Sequence, residues 1–226
     1  MKNLKRIALG SALAVLGVAQ AGSLVVDTFL SPGGGLTVNL DRPPGLGFGT
    51  ATTVGSGIAG GQRDLSYSVT YMDFTTASVE VNTPTSPSRL TESSGDFATP
   101  DLVLNYDANG AGLGVNLSGT SLTLKGLVTD LPLTVKVWLT TSPGNSYTAT
   151  VPVAGGYAAD LTITSFTTVG APNLNSINDI KIEFAGATGA DYSLDTIYTA
   201  VPEPATYGGL AALGLLGTVI WRRARA

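Results

Sequence analysis

The chain of 226 residues has no cysteine and no histidine. Without cysteine, no disulfide can hold the fold and no thiolate can act as nucleophile or metal ligand. Without histidine, a Ser-His-Asp relay and an ordinary zinc site are both excluded. Carboxylate chemistry is what remains, and glycoside hydrolysis needs two carboxylates on facing elements. The body has only Glu80, Glu92 and Glu183 as glutamates, and none lies in a catalytic motif. The chain therefore reads as no enzyme, because nothing in it brings nucleophile, base and oxyanion donors together; a glycoside-active enzyme stays as a rival reading on its carboxylates alone. Cations are scarce too. Between Gly22 and Val201 six Lys/Arg stand against fifteen Asp/Glu, a formal charge of −9 that the whole-chain value of −4 conceals. An acidic body with no basic cluster argues against nucleic acid as a partner. It suits solubility, divalent cations or neutral sugars.

Helical periodicity is almost missing from the same body. What recurs is short alternation rich in Thr, Val, Ser and Leu, interrupted by Gly, Pro and Asn-Gly, the pattern of antiparallel strands. Leu65, Tyr67, Val69 and Tyr71 fall on one face of a strand. Leu133, Val135, Val137 and Leu139 share a face of another and leave Trp138 on the opposite one. Residues 102–106 and 114–117 flank Asp107-Ala108-Asn109-Gly110 and predict a hairpin. Further strands are expected at 121–125, 147–153, 160–166, 177–184 and 192–199, with a Ser142-Pro143-Gly144-Asn145 turn before the second. The segment 31–61, rich in glycine and proline, reads as loop. Ten to twelve strands over residues 22–200 predict an all-β fold, one antiparallel β-sandwich, jelly-roll-like, too short-stranded for a membrane barrel.

The two ends are of another kind. Lys2, Lys5 and Arg6 precede an apolar run from Ile7 to Val18, and Ala19 and Ala21 flank Gln20. This is the layout of a secretory signal peptide over residues 1–21, cut before Gly22. At the other end Ala205 to Trp221 is uncharged, about 26 Å long as a helix at ~1.5 Å per residue, and can just cross a core of ~30 Å. Tyr207 and Trp221 stand at its borders, and Arg222, Arg223 and Arg225 follow at once as a stop-transfer signal.

Val201-Pro202-Glu203-Pro204, the apolar helix, and Trp221-Arg222-Arg223-Ala224-Arg225 together resemble the PEP-CTERM sorting signal of Gram-negative bacteria, over residues 201–226. The resemblance implies a substrate of exosortase, a membrane-embedded cysteine transpeptidase that reads the Pro-Glu-Pro region and removes the helix. It also implies an association with extracellular polysaccharide and biofilm matrix. Pro202 and Pro204 hold the neck extended and outside the helix, a shape a protease cleft accepts. The expected partners are thus the processing enzyme, the membrane through a transient C-terminal anchor, and extracellular polysaccharide. The expected course runs from inner-membrane precursor to cell surface or medium. Blocks 173–184 and 190–197 resemble the closing strands of jelly-roll, galactose-binding-like or carbohydrate-binding modules. No binding residue carries across, because the ligand loops of such modules do not match.

Three body features remain to be weighed. Asp191 and Asp195 lie four apart near the last strand, on one face if extended, and are candidate ligands of a structural calcium, the one cofactor considered; the rival is carboxylates capping backbone N–H groups. Trp138 is a candidate for stacking on a sugar ring if exposed, and otherwise a packed aromatic. Arg63, after Gly60-Gly61, is expected to turn inward onto a carboxylate or carbonyls at a bend into the sheet. A structural or adhesive role is the leading expectation, with a carbohydrate-binding module as the alternative.

Overall fold

The computed structural model describes residues 23–30, 36–42, 45–71, 75–83, 88–118 and 120–200. The predicted signal peptide with Ala19 and Ala21, the Pro202-Glu203-Pro204 neck, the helix 205–221 and the arginines 222, 223 and 225 lie outside these residues. Among the described residues no helix is long and apolar enough to cross a membrane.

The chain runs through β1 (Val25–Asp27), β2 (Leu36–Arg42), β3 (Gly45–Val54), β4 (Gln62–Tyr71), β5 (Thr75–Val81), β6 (Leu90–Ser94), β7 (Ala98–Tyr106), β8 (Ser121–Thr129), β9 (Leu133–Ser142), β10 (Asn145–Val153), β11 (Tyr157–Ile163), β12 (Thr167–Val169), β13 (Asp179–Gly186), β14 (Tyr192–Leu194) and β15 (Thr196–Ala200). One sheet has seven strands in the order β12-β10-β9-β13-β7-β4-β3. The other has eight, β1-β15-β8-β14-β6-β5-β2, with β11 on β8. Every pairing is antiparallel, and the chain crosses repeatedly between the sheets, so the fold is a jelly-roll-like sandwich. Its core is one cluster of inward residues, including Leu65, Tyr67, Val69, Val135, Val137, Ile182 and Phe184. Alternation explains it: period-2 strands with one greasy face must close that face against another sheet.

Three expectations need correction. Residues 102–106 and 114–117 do not form a hairpin. Both sides of β7 are already taken, by β4 and β13, so after left-handed Ala108, Asn109 and Gly110 the chain moves away. Residues 113–117 pair instead with 174–178, through Leu113 N–H to Asn178 O at 2.8 Å and Leu117 N–H to Leu174 O at 2.7 Å. The single strand expected at 192–199 is split at Asp195 into β14 and β15, because Asp195 leans out to Arg89 while its N–H reaches Lys125 O. The glycine-rich 31–61 segment contains two full strands, β2 and β3. A Cβ on Gly49 would stand 2.6 Å from Val38 Cγ1, so glycine there lets the edges of the two sheets close together.

The core encloses two polar clusters. Arg63 is fully buried, and its Nη1 donates to Asp27 Oδ2 at 2.6 Å; Tyr106 Oη donates to the same oxygen at 3.0 Å, and Phe29 N–H to Oδ1 at 2.7 Å. This is the inward arginine expected after Gly60-Gly61, which take φ of 68° and 78°. The second cluster was not foreseen. Glu92 is buried on β6, accepts the Tyr67 hydroxyl at 2.6 Å, and lies directly across from Tyr192 of β14. Burial pushes its carboxyl up to about 8, with the charges of Asp191 and Asp130 adding to the rise and the Tyr67 and Ser94 hydroxyls opposing it.

The sign follows directly. A carboxyl whose folded value exceeds its ordinary 4.5 is held as the neutral acid, so its stabilisation is complete below that value and fades as pH rises through about 8. Melting temperature should therefore fall between about pH 5 and pH 9. Glu92→Gln, which cannot titrate, should flatten that slope. Equal slopes in the two proteins, read by circular dichroism, would refute the assignment.

Candidate functional site

The outer face of the seven-stranded sheet collects the polar chemistry. On each of its strands the alternate residues go into the core, so the others point outward and line up across the register. One such row runs Thr52, Asp64, Asn105, Lys181, Trp138 and Thr148, from β3 through β4, β7, β13 and β9 to β10. Trp138 therefore lies opposite the core face, as its strand pattern requires, and is half-buried. The Lys181 ammonium stands 4.6 Å from its ring centroid. A cation over the ring is attracted by the π-face and covers the surface a sugar would use; a lysine chain is long enough to swing away.

In the next row Lys136 pairs with Glu183, directly opposite across β9 and β13. That contact raises the Lys136 ammonium, chiefly through the hydrogen bond to Glu183. Asp101 lies one row further. Burial raises it first, then the Glu183 charge, while Lys136 and Lys181 pull it back. Asp179, at the end of β13, is raised by burial and by Asp107, against a hydrogen bond from Thr140 and the Lys181 charge. The face is thus a ladder of alternating charges with an aromatic ring at its centre.

Next to the end of this row lies a cleft of about 410 Å³ between β10 and the 162–167 stretch, where the hydroxyls of Thr148, Thr150, Thr162, Thr164, Ser165 and Thr167 are set among the apolar Ala149, Val151, Ile163 and Phe166. Among the described residues no charged side chain lines it. Thr148 belongs to both the cleft and the Trp138 row. Hydroxyls interleaved with apolar side chains offer donors and acceptors without charge, the chemistry that meets neutral polyhydroxylated ligands. The sequence hinted at the threonines through the alternation of 147–153, but Lys181 over Trp138 depends on a register between strands forty residues apart.

The paired aspartates are engaged by the protein itself. Asp191 Oδ1 accepts Ser94 N–H at 2.7 Å, and Asp195 Oδ1 meets Arg89 Nη2 at 2.6 Å. Tyr192 and Leu194 between them are buried, so both carboxylates do point outward. Among the described residues no three acidic, histidine or cysteine side chains gather to hold a metal ion.

Residues 200–225 match the PEP-CTERM protein-sorting motif, so the chain carries that signal directly after its last strand. No curated protein matches the chain. Among solved structures it is similar to the family 11 carbohydrate-binding module of the Clostridium thermocellum cellulase Lic26A-Cel5E, at 11% identity over 80% of this chain and 96% of that one, TM-score 0.38. It is also similar to TmCBM61 in complex with β-1,4-galactotriose, at 8% identity over 70% of this chain and 88% of that one, TM-score 0.34. Likenesses this distant say nothing of what this chain binds.

Removing the Lys181 cation should uncover the indole. In a Trp221→Phe background Trp138 is the sole tryptophan. There Lys181→Ala should raise acrylamide quenching of its emission and cost about 0.5–1 kcal/mol of stability. Unchanged quenching would mean that the ring is shielded by something else.

Proposed function

We propose that this is an exported protein whose β-sandwich is delivered to the cell surface or extracellular matrix by its C-terminal signal. The helix 205–221 tethers the precursor to the inner membrane with its arginines in the cytoplasm, until an exosortase-type enzyme reads Pro202-Glu203-Pro204 and removes it. The domain itself is non-catalytic and structural or adhesive. The observation that carries the reading is the sorting motif at residues 200–225, joined to a domain whose last strand ends at Ala200. The geometry of the ends supports it. Leu24 exchanges hydrogen bonds with Thr199, its O accepting Thr199 N–H at 2.8 Å and its N–H reaching Thr199 Oγ1 at 3.0 Å. Cuts before Gly22 and after Ala200 therefore free the domain without unpicking a strand.

Intact mass of the protein recovered outside the producing cells tests this. The expected species begins at Gly22 and lacks the residues from 205 onward. A species that still holds Trp221 and its arginines overturns the reading.

A second reading has its own support, the Trp138 row beside an uncharged hydroxyl-lined cleft. On it, the outer face of the seven-stranded sheet binds a neutral extracellular polysaccharide. Affinity electrophoresis in neutral glucans and galactans should then show retardation that Trp138→Ala weakens about tenfold, or ~1.4 kcal/mol. Retardation untouched by that substitution removes Trp138 from any binding site.

A further inference from the structure

β3 closes the seven-stranded sheet, and among the described residues it pairs with β4 alone. Its register with β4 runs unbroken from Gly45 opposite Tyr71 to Val54 opposite Gln62. Among the described residues no strand hydrogen-bonds to the far side of this ten-residue strand, while β2 packs on its core face at Gly49. Exposed edges are ordinarily guarded by shortness, charge, proline or a bulge. The other edges here follow that rule. β12 has three residues, β2 carries Asp41 and Arg42, and β11 contains Asp160 and a register shift. β3, with the sequence GLGFGTATTV, has none of these guards. It instead exposes Leu46 at 71%, Phe48 at 58% and Val54 at 70%, all on the sheet's outer side.

A row of unpaired backbone groups is a template for another extended strand, and the spacing of the apolar residues chooses which. A continuous antiparallel sheet requires outward residues to face outward residues. For β3 against a second β3, a two-fold axis at Thr50 sets Leu46 opposite Val54 on both sides of the axis and Phe48 opposite Thr52. Sliding the pair by two residues in either direction strands Leu46 or Val54. The strand brings no charge, so self-pairing meets no repulsion within it. Asp64 on the two β4 strands would be at least three strand spacings apart, about 14 Å, beyond the ~8 Å screening length at physiological salt.

We infer that β3 is a self-association edge, through which two copies of this chain join their seven-stranded sheets across a two-fold axis at Thr50. The interface is isologous, as closed dimers require.

The absence of cysteine makes the test clean. Residues directly opposite in an antiparallel pair have Cα atoms about 4.5–5.5 Å apart, inside the ~4.4–6.8 Å window of a disulfide. The purified full chain in non-ionic detergent, as Thr50→Cys, should oxidise to a homodimer ~10-fold faster than Ala154→Cys on an exposed loop, since pairing raises the effective thiol concentration. Mixing Leu46→Cys with Val54→Cys chains should give the hetero-disulfide in preference to either homodimer. Adding Phe48→Lys to Thr50→Cys should abolish the rate advantage, with circular dichroism confirming an unchanged fold. Equal rates for Thr50→Cys and Ala154→Cys overturn the inference. So does the Phe48→Lys chain, still folded, cross-linking as fast as its parent.

Discussion

Asp27 is where the two sheets are tied together. It lies near the start of the domain on β1 of the eight-stranded sheet, yet its carboxylate takes hydrogen bonds from Arg63 on β4 and Tyr106 on β7, both in the seven-stranded one. Phe29 closes the group, giving its N–H to Asp27 and its ring to the Arg63 guanidinium at 5.4 Å. In a domain without disulfides this is the only charged link through the core among the described residues. Such a pair adds little net stability over an apolar filling, because both ions lose their water. Breaking one side alone leaves a buried charge and costs ~3–5 kcal/mol. Its use is specificity: it fixes which strand of one sheet faces which strand of the other, a choice that interchangeable Val, Leu and Ile side chains leave open. The second core carboxyl, Glu92, solves the same desolvation problem by the other route, holding its proton under burial and the charges of Asp191 and Asp130.

Once those inward positions are set, strict alternation decides the outside. Arg63, Leu65, Tyr67 and Val69 go in, so Asp64, Ser66 and Ser68 go out, and the same parity on β9 and β13 puts Lys136, Trp138, Lys181 and Glu183 on the exposed face. The charged ladder of that face is thus a consequence of core register. A one-residue slip of β9 would bury Lys136 and expose Val135.

That dependence explains how far the sequence could be read. Period 2 told which side of β4 and β9 was greasy, including the outward Trp138, and Gly60-Gly61 announced the inward turn of Arg63. Local signals misled where the partner was remote. Asp107-Ala108-Asn109-Gly110 has hairpin chemistry, and the residues do adopt left-handed turns, but β7 had two neighbours already and the next segment had to pair elsewhere. Glycines in 31–61 read as loop, because nothing local says that Gly49 must leave room for Val38. Glu92 gave no signal at all. Its burial follows from β6 lying inside the eight-stranded sheet opposite Tyr67, a contact between sheets with no trace in spacing.

Strand pairing at β3 would also constrain how two copies could lie on a membrane. A two-fold axis normal to the sheet reverses strand direction, and the sheets of a sandwich keep their strands within about 30° of one another. The tail leaves at the end of β15, where Ala200 pairs with Ser121, so two copies joined through β3 would send their tails toward opposite poles. A ten-residue strand spans about 33 Å. The four residues between Val201 and Pro204 reach at most ~14 Å. If the tail anchors the precursor, both tails of a pair leave at one height only when the two-fold axis stands along the bilayer normal, the eight-stranded sheet that carries β15 lying parallel to the membrane. Pairing through β3 would thus restrict a tethered pair to one orientation, a restriction that a domain without its tail would not feel.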